Sequence, residues 1–160
     1  MRSGLGFQTG KACGALPFAG SDAVSAIDPL PWEPEARAIS CPVTTGFRFL
    51  AAEGIERVDI LKVDTEGHDL RVLRGFLDFL RQRPVPVIQF EHGRIAIPSR
   101  VLLRDFYGLL TPYGYRIGRL FPNGVRFQDY DFFRDEHFRD GNYVAVHQTC
   151  SEIIAALRAR

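Results

Sequence analysis

Between residues 58 and 91 the sequence places strand, helix and strand in immediate succession, and that order leaves few folds open. The run VDILKV (58–63) is apolar with two polar interruptions and stops at Asp64, Thr65, Glu66 and Gly67. This is the composition of a strand end turning into a helix N-terminus, where the positive end of the helix dipole favours acidic residues. Leu70, Leu73, Leu77 and Leu80 then recur three and four residues apart, with Phe76 beside them, until Arg81, Arg83 and Pro84 end the pattern. That spacing predicts an amphipathic helix with its leucine stripe in the core. A second run, VPVIQFE (85–91), follows. Two buried strands joined by one crossover helix return to the same sheet as parallel neighbours.

Around this unit the pattern is plainer in some stretches than in others. Thr45 caps a short expected helix through Leu50 and Ala51 that stops at Gly54, a residue free to take the left-handed conformation. Residues 99–110 place Leu102, Leu103, Phe106, Leu109 and Leu110 at helical spacing. Residues 115–127 read as two extended pieces around a Pro-Asn-Gly turn, and 143–147 (YVAVH) as a last strand before a helix capped by Ser151. Between them, 130–142 mixes Phe132, Phe133 and Phe138 with charges, and three rings that apolar are expected to fold over the sheet. Residues 1–42 hold Pro29, Pro31 and Pro34 around Trp32 and show no helical or strand period. The expected organisation is an irregular segment over 1–42 and the α/β domain over 43–160. The early run SGLGFQTGKACG lacks both the P-loop spacing and a preceding apolar strand.

Charge and cysteine usage narrow the function classes. Twenty Lys and Arg oppose nineteen Asp and Glu, a formal charge of +1, so no overall field draws the chain to nucleic acid or to an anionic membrane. Cys13, Cys41 and Cys150 are an odd and widely spaced set without C-x-x-C spacing, which fits a reducing cytosol better than a disulfide framework. Polar residues interrupt the N-terminus, so neither a signal peptide nor a span is read there. The expected setting is cytoplasmic.

In open α/β sheets the ligand crevice lies beyond the carboxyl ends of the strands. Asp64, Glu66, His68 and Asp69 follow the first strand, and Glu91 and His92 follow the second. Parallel neighbours bring both groups to one rim. A carboxylate or an imidazole there can take a proton from a substrate hydroxyl; equally, Asp64 and Glu66 can simply cap a helix. No H-x-x-x-H or C-x-x-C spacing supports a metal site, and none is expected. Gly67, Gly75, Gly93 and Gly114 read as turn or close-packing residues.

The segment VDILKVDTEGHDLRVLRG (58–75) resembles the signature of FkbM-family S-adenosylmethionine-dependent methyltransferases through Leu61, Lys62, Val63, Asp64, Glu66, Gly67, Val72, Leu73 and Gly75. Similar family segments lie at 43–50, at 87–91 and at 141–146 (GNYVAV). The resemblance implies a class I methyltransferase, Rossmann-like sheet of parallel strands with helices and an antiparallel C-terminal strand, entered at its fourth strand, 58–63. It further implies S-adenosylmethionine as cofactor and O-methylation of a sugar or small metabolite, with Asp64, His68 and His92 as catalytic residues and Asp64, Glu66 and Glu91 on the substrate. This sequence departs from the family in two ways: VTTGFRFL has Gly46 and Phe47 where an aspartate is usual, and no Asp-x-Gly-Ala-Asn-x-Gly loop occurs upstream. The chain is therefore expected to be truncated and, by itself, inactive, with a companion chain or a homo-oligomer completing it. The alternative is a non-catalytic interaction module that binds a partner through its exposed sheet edge.

Overall fold

The computed structural model describes the backbone of residues 8–13 and 38–159 and the side chains from residue 43 onward. Strands β1 (Gln8–Cys13) and β2 (Ala38–Val43) pair antiparallel, Gln8 opposite Val43 and Cys13 opposite Ala38. Two strands therefore lie in a stretch where the sequence shows no strand period. The remainder of 1–42 lies outside the described residues. Helix α1 (Gly46–Ala52) begins where Thr45 accepts a hydrogen bond from Arg48 N at 3.3 Å.

The main sheet has five strands: β3 (Ile60–Lys62), β4 (Val87–His92), β5 (Tyr115–Phe121), β6 (Gly124–Phe127) and β7 (Gly141–His147). They are arranged in the order β3-β4-β7-β5-β6. The expected parallel pair is present, with Ile60, Leu61 and Lys62 opposite Val87, Ile88 and Gln89. β7 then enters antiparallel between β4 and β5, so β3, β4 and β5 all run one way and β7 runs against them. β5 and β6 form a hairpin about the predicted turn. The fold is thus α/β with one parallel pair, and its last strand is inserted rather than appended.

Helices α2 (Asp69–Gln82) and α3 (Leu103–Leu110) cover one face of the sheet. Leu70, Leu73 and Leu80 of the predicted stripe are buried, together with Phe79, whereas Leu77 is only half-buried. Phe90 stacks on Phe106 with centroids 4.3 Å apart and on Tyr143 at 5.6 Å, which ties α3 to β4 and β7. Helix α1 crosses α2 where two glycines meet: a Cβ on Gly46 would stand 2.3 Å from the Phe76 ring, and one on Gly75 would stand 3.5 Å from Gly46 N. The close-packing role expected of Gly75 is its observed one. Among the described residues no helix is long and apolar enough to cross a membrane.

Helix α5 (Ser151–Leu157) packs on the opposite face, over Val125, Val144 and Val146. Its N-cap is Cys150, not Ser151, and no side-chain hydrogen bond caps it. Two further expectations are corrected. The run 58–63 forms a strand only at Ile60–Lys62, and Ile60 is 68% exposed, because among the described residues no strand pairs with its outer edge. The aromatic segment does not fold wholly inward either. Phe132 and Phe133 lie on the single-turn α4 (Phe132–Asp135), where Asp131 caps the helix and the Asp135 carboxylate takes the inward position. Phe133 is consequently 94% exposed, whereas Phe138 is half-buried against the His92 ring at 5.5 Å.

Candidate functional site at the carboxyl ends of β3 and β4

The register that pairs Lys62 with Gln89 brings the two residues beyond each strand to the same height, Asp64 on one side and Glu91 on the other. Side chains alternate along a strand, and the alternation on β4 is strict: Ile88, Phe90 and His92 are buried, while Val87, Gln89 and Glu91 face the other side. Lys62, Gln89 and Glu91 therefore share one face with Asn142, which pairs with Glu91 across β7. A hydrogen-bonded row links them. Gln89 Nε2 donates to Asn142 Oδ1 at 2.7 Å, and Asn142 Nδ2 donates to Glu91 Oε1 at 3.0 Å. Lys62 Nζ holds Asp64 Oδ2 at 2.8 Å and also lies in the field of Glu91.

The turn after β3 is tightly constrained. Glu66 takes a left-handed conformation (φ 50) and Gly67 follows at φ 93. Gly67 is required here, because a Cβ would stand 2.3 Å from the carbonyl oxygen of Ile95. A non-glycine residue in the left-handed region costs about 1–3 kcal/mol and persists only where the surroundings impose it, a condition frequent at functional sites. Burial raises the Glu66 pKa above the ordinary carboxylate range, and the charges of Asp64, Glu91 and Asp69 push it the same way. Glu66 makes no hydrogen bond or ion pair among the described residues.

Asp69 is 1% exposed, and neither of its oxygens has a hydrogen-bond partner among the described residues. Burial raises its pKa; the backbone amides of Asp69, Glu91 and Thr65 act against that without completing a bond, and the charge of Asp64 adds to it. The Thr65 hydroxyl is also buried without a partner among the described residues. Asp69 was legible as an acid on the first helical turn, but nothing in the sequence distinguishes a buried carboxylate there from a solvated cap.

The structure brings Asp64, Glu66 and Glu91 together and places both expected histidines elsewhere. His68 is the N-cap residue of α2 and is 1% exposed. His92 lies on the core face of β4, its ring among Phe106, Phe138 and Tyr143, with Nε2 3.4 Å from Val101 O. Burial lowers its pKa, which favours the neutral ring. Both rings are closed to solvent. Gln89, Asn142 and Lys62 do not stand out in the sequence as site residues; the one available signal is a glutamine at an alternating position of an apolar strand.

Beyond β4 the rim is fastened by a clasp. Arg94 donates from its backbone to Asp140 Oδ1 at 2.8 Å and from its guanidinium to Oδ2 at 2.7 and 3.0 Å, which holds the Asp140 carboxyl below its ordinary range. Glu136 accepts from the amides of Leu103 and Arg104 at the start of α3 and from the Tyr130 hydroxyl. Among the described residues no group of three His, Cys, Asp or Glu is placed to hold a metal ion.

Parallel strands that end together at an acidic rim, with a reversed strand inserted beside them, define a Rossmann-like α/β domain with its ligand side at that rim. The Methyltransferase FkbM domain family matches residues 9–117, and the chain belongs to this family of methyltransferases. No curated protein and no solved structure matches the chain.

Proposed function

We propose that this domain forms the acceptor side of an S-adenosylmethionine-dependent methyltransferase that methylates a hydroxyl of a sugar or small metabolite. The observation that carries this reading is the convergence of Asp64, Glu66 and Glu91 where the parallel strands end. In this reading Glu66 and Glu91 face the acceptor. Asp64, the exposed carboxylate of the set, takes the hydroxyl proton; His68 and His92, closed to solvent, hold the local packing instead. Much of the rate in such a transfer comes from alignment of the reacting atoms, which a rigid clasped rim favours.

The donor side is a poorer fit to the described residues. A methionine-bearing cofactor in this fold needs a backbone cradle of glycine, whereas the bare faces of Gly67 and Gly93 are already filled by Ile95 O and by Asp140. The sequence also has no Asp-x-Gly-Ala-Asn-x-Gly loop. The 160-residue chain by itself is therefore expected to bind the cofactor weakly. Calorimetric titration of the chain with S-adenosylmethionine, and NMR titration with a panel of sugars and small hydroxylated metabolites, test the two halves of the reading. Tight cofactor binding refutes the division into sides, and binding of no hydroxylated compound at the rim refutes the acceptor side.

A second reading is favoured by one observation. The outer edge of β3 has no strand partner among the described residues and carries Ile60 at 68% exposure. An unpaired edge is a template for another strand, so the chain also fits an interaction module. Light scattering of the purified chain, alone and with Ile60→Lys, distinguishes a self-associating edge from a free one.

A further inference from the structure

The β5–β6 hairpin carries charge of the opposite sign to the rim beside β3. Arg119 and Arg126 are directly opposite each other in its ladder, which puts their Cβ atoms about 5 Å apart on one face of the sheet. Both guanidiniums lean on the same ring, their central carbons 5.6 and 4.8 Å from the centroid of Phe121. Like charges so placed destabilise a strand pair, a cost that an anion received by both would offset. His137 adds to the excess of donors. Its Nδ1 accepts from Arg139 N at 3.0 Å, and its Nε2 lies 3.2 Å from Arg119 Nη1. A neutral imidazole has one acceptor nitrogen, whereas a guanidinium and a backbone amide only donate. With Nδ1 accepting, the Nε2–H and the Arg119 N–H are side by side and cannot bond each other, so both are available to one external acceptor. The nearby carboxylates are committed elsewhere: Asp140 to Arg94 through both oxygens, Asp135 to Arg134, and Glu136 to the amides that open α3. Arg119 Nη2 donates to the carbonyl of Asp140 and not to its carboxylate.

We propose that this corner is an anion subsite for the phosphate monoester of a small ligand, with the phosphate oxygens on Arg119, Arg126 and the His137 N–H and the organic part against Phe121. The chemistry of the set selects this class. A guanidinium matches a pair of phosphate oxygens in geometry as well as in charge. Donors arrive from β5, from β6 and from the segment before β7, and a tetrahedral oxyanion offers each of them its own oxygen, whereas a planar carboxylate has only two to share. β5 runs parallel to β3 and β4, so Arg119 and Phe121 lie toward the carboxyl ends of these strands, the side on which open α/β sheets receive ligands. The assignment stands on the hairpin and His137, and it does not depend on the acceptor role proposed for Glu66 and Glu91.

The test is NMR titration of the 160-residue chain, at constant ionic strength, with glucose 6-phosphate, inorganic phosphate, D-glucose and D-glucuronate. Glucose 6-phosphate should shift resonances at 119–126 and 137–141, inorganic phosphate should shift the same set with lower affinity, and glucose should shift none of them. Glucuronate should bind more weakly than the phosphate ester. Arg126 is exposed, so Arg126→Gln should keep the fold, checked by an unchanged unfolding midpoint, while weakening the ester roughly fivefold or more through the loss of charge-assisted hydrogen bonds. Arg126→Lys should recover part of that loss, since it restores the charge without the fork. His137→Ala should also weaken binding. Arg57→Gln, at an exposed arginine ahead of β3 on the other end of the sheet, should leave it unchanged. No shift at the hairpin with either phosphate, equal binding of glucose, or indifference to Arg126→Gln overturns the proposal. So does an equal loss in Arg57→Gln, which would reduce the effect to overall charge, and tighter binding of inorganic phosphate than of the ester, which would leave Phe121 without a role. Binding of the ester at the hairpin with no hydroxylated compound at the rim would remove the proposed function and leave the subsite standing.

Discussion

The two ends of the main sheet are finished in opposite ways. At the β6 end the chain closes its own edge: Ala159 N donates to Val125 O at 3.0 Å, Arg158 bridges to Val125, and α5 covers Val125, Val144 and Val146 from one side. At the β3 end nothing among the described residues pairs with the outer edge, Ile60 and Lys62 are exposed, and the sheet continues into an acidic turn held in a left-handed conformation. Edges left open invite another strand, and native folds usually cover or charge them. The chain itself closes the β6 end, whereas the β3 end has no strand partner among the described residues.

The sharpest way to break this contrast is in the shared core. Leu73 is fully buried between α2 and the sheet, and Leu73→Ala should cost about 2–5 kcal/mol in urea unfolding; a loss below about 1 kcal/mol would mean that the helix is not packed as described. Next in size is Gly67→Ala, which places a Cβ against Ile95 O at a positive φ. It should destabilise by about 1–3 kcal/mol, with chemical-shift changes confined to the rim and the segment after β4. Changes spread evenly over the sheet would contradict a local clamp.

A third test uses pH, with Asp69 and Asp140 as opposites. The Asp69 pKa is raised in the fold, so protonation favours the folded state: its contribution is fully present below the ordinary aspartate value and is lost as pH rises through the folded pKa. Asp69→Asn should raise the melting temperature at neutral pH and flatten that part of the profile. The Asp140 pKa is lowered by Arg94, so its contribution is present above the ordinary value and is lost as pH falls through the folded pKa. Being largely exposed, Asp140→Asn should have the smaller effect, seen only toward neutral pH. A profile unchanged by Asp69→Asn would show that the buried carboxylate is met by groups other than those described. The smallest effect belongs to Ile60→Lys, expected within about 0.5 kcal/mol of wild type in stability while lowering any self-association measured by light scattering.

Periodicity carried the fold far. The spacing of Leu70, Leu73 and Leu80, the run at 85–91 and the Pro-Asn-Gly turn each report a local pattern that the structure uses directly. What remained hidden depends on partners remote in sequence. That β7 enters between β4 and β5 is decided by cross-strand pairing, not by anything within GNYVAV. That Phe133 stays in water follows from Asp135 taking the inward side of a four-residue helix. At the site, the carboxylates at positions 64, 66 and 91 could be brought together from strand order alone, whereas the direction of His92 follows from a one-residue alternation. Glu91 and His92 are neighbours in sequence and face opposite sides of the sheet.

The proposed division, with an acceptor side in this domain and a poor fit of the described residues to the donor, is tested most directly by calorimetric titration of the purified 160-residue chain with S-adenosylmethionine. A ligand of micromolar affinity has about 8 kcal/mol in total to lose, and each missing polar anchor removes about 0.5–1.5 kcal/mol of it. The expected result is no measurable heat of binding. A dissociation constant at or below about 10 μM would contradict the account and place a cofactor site within this chain.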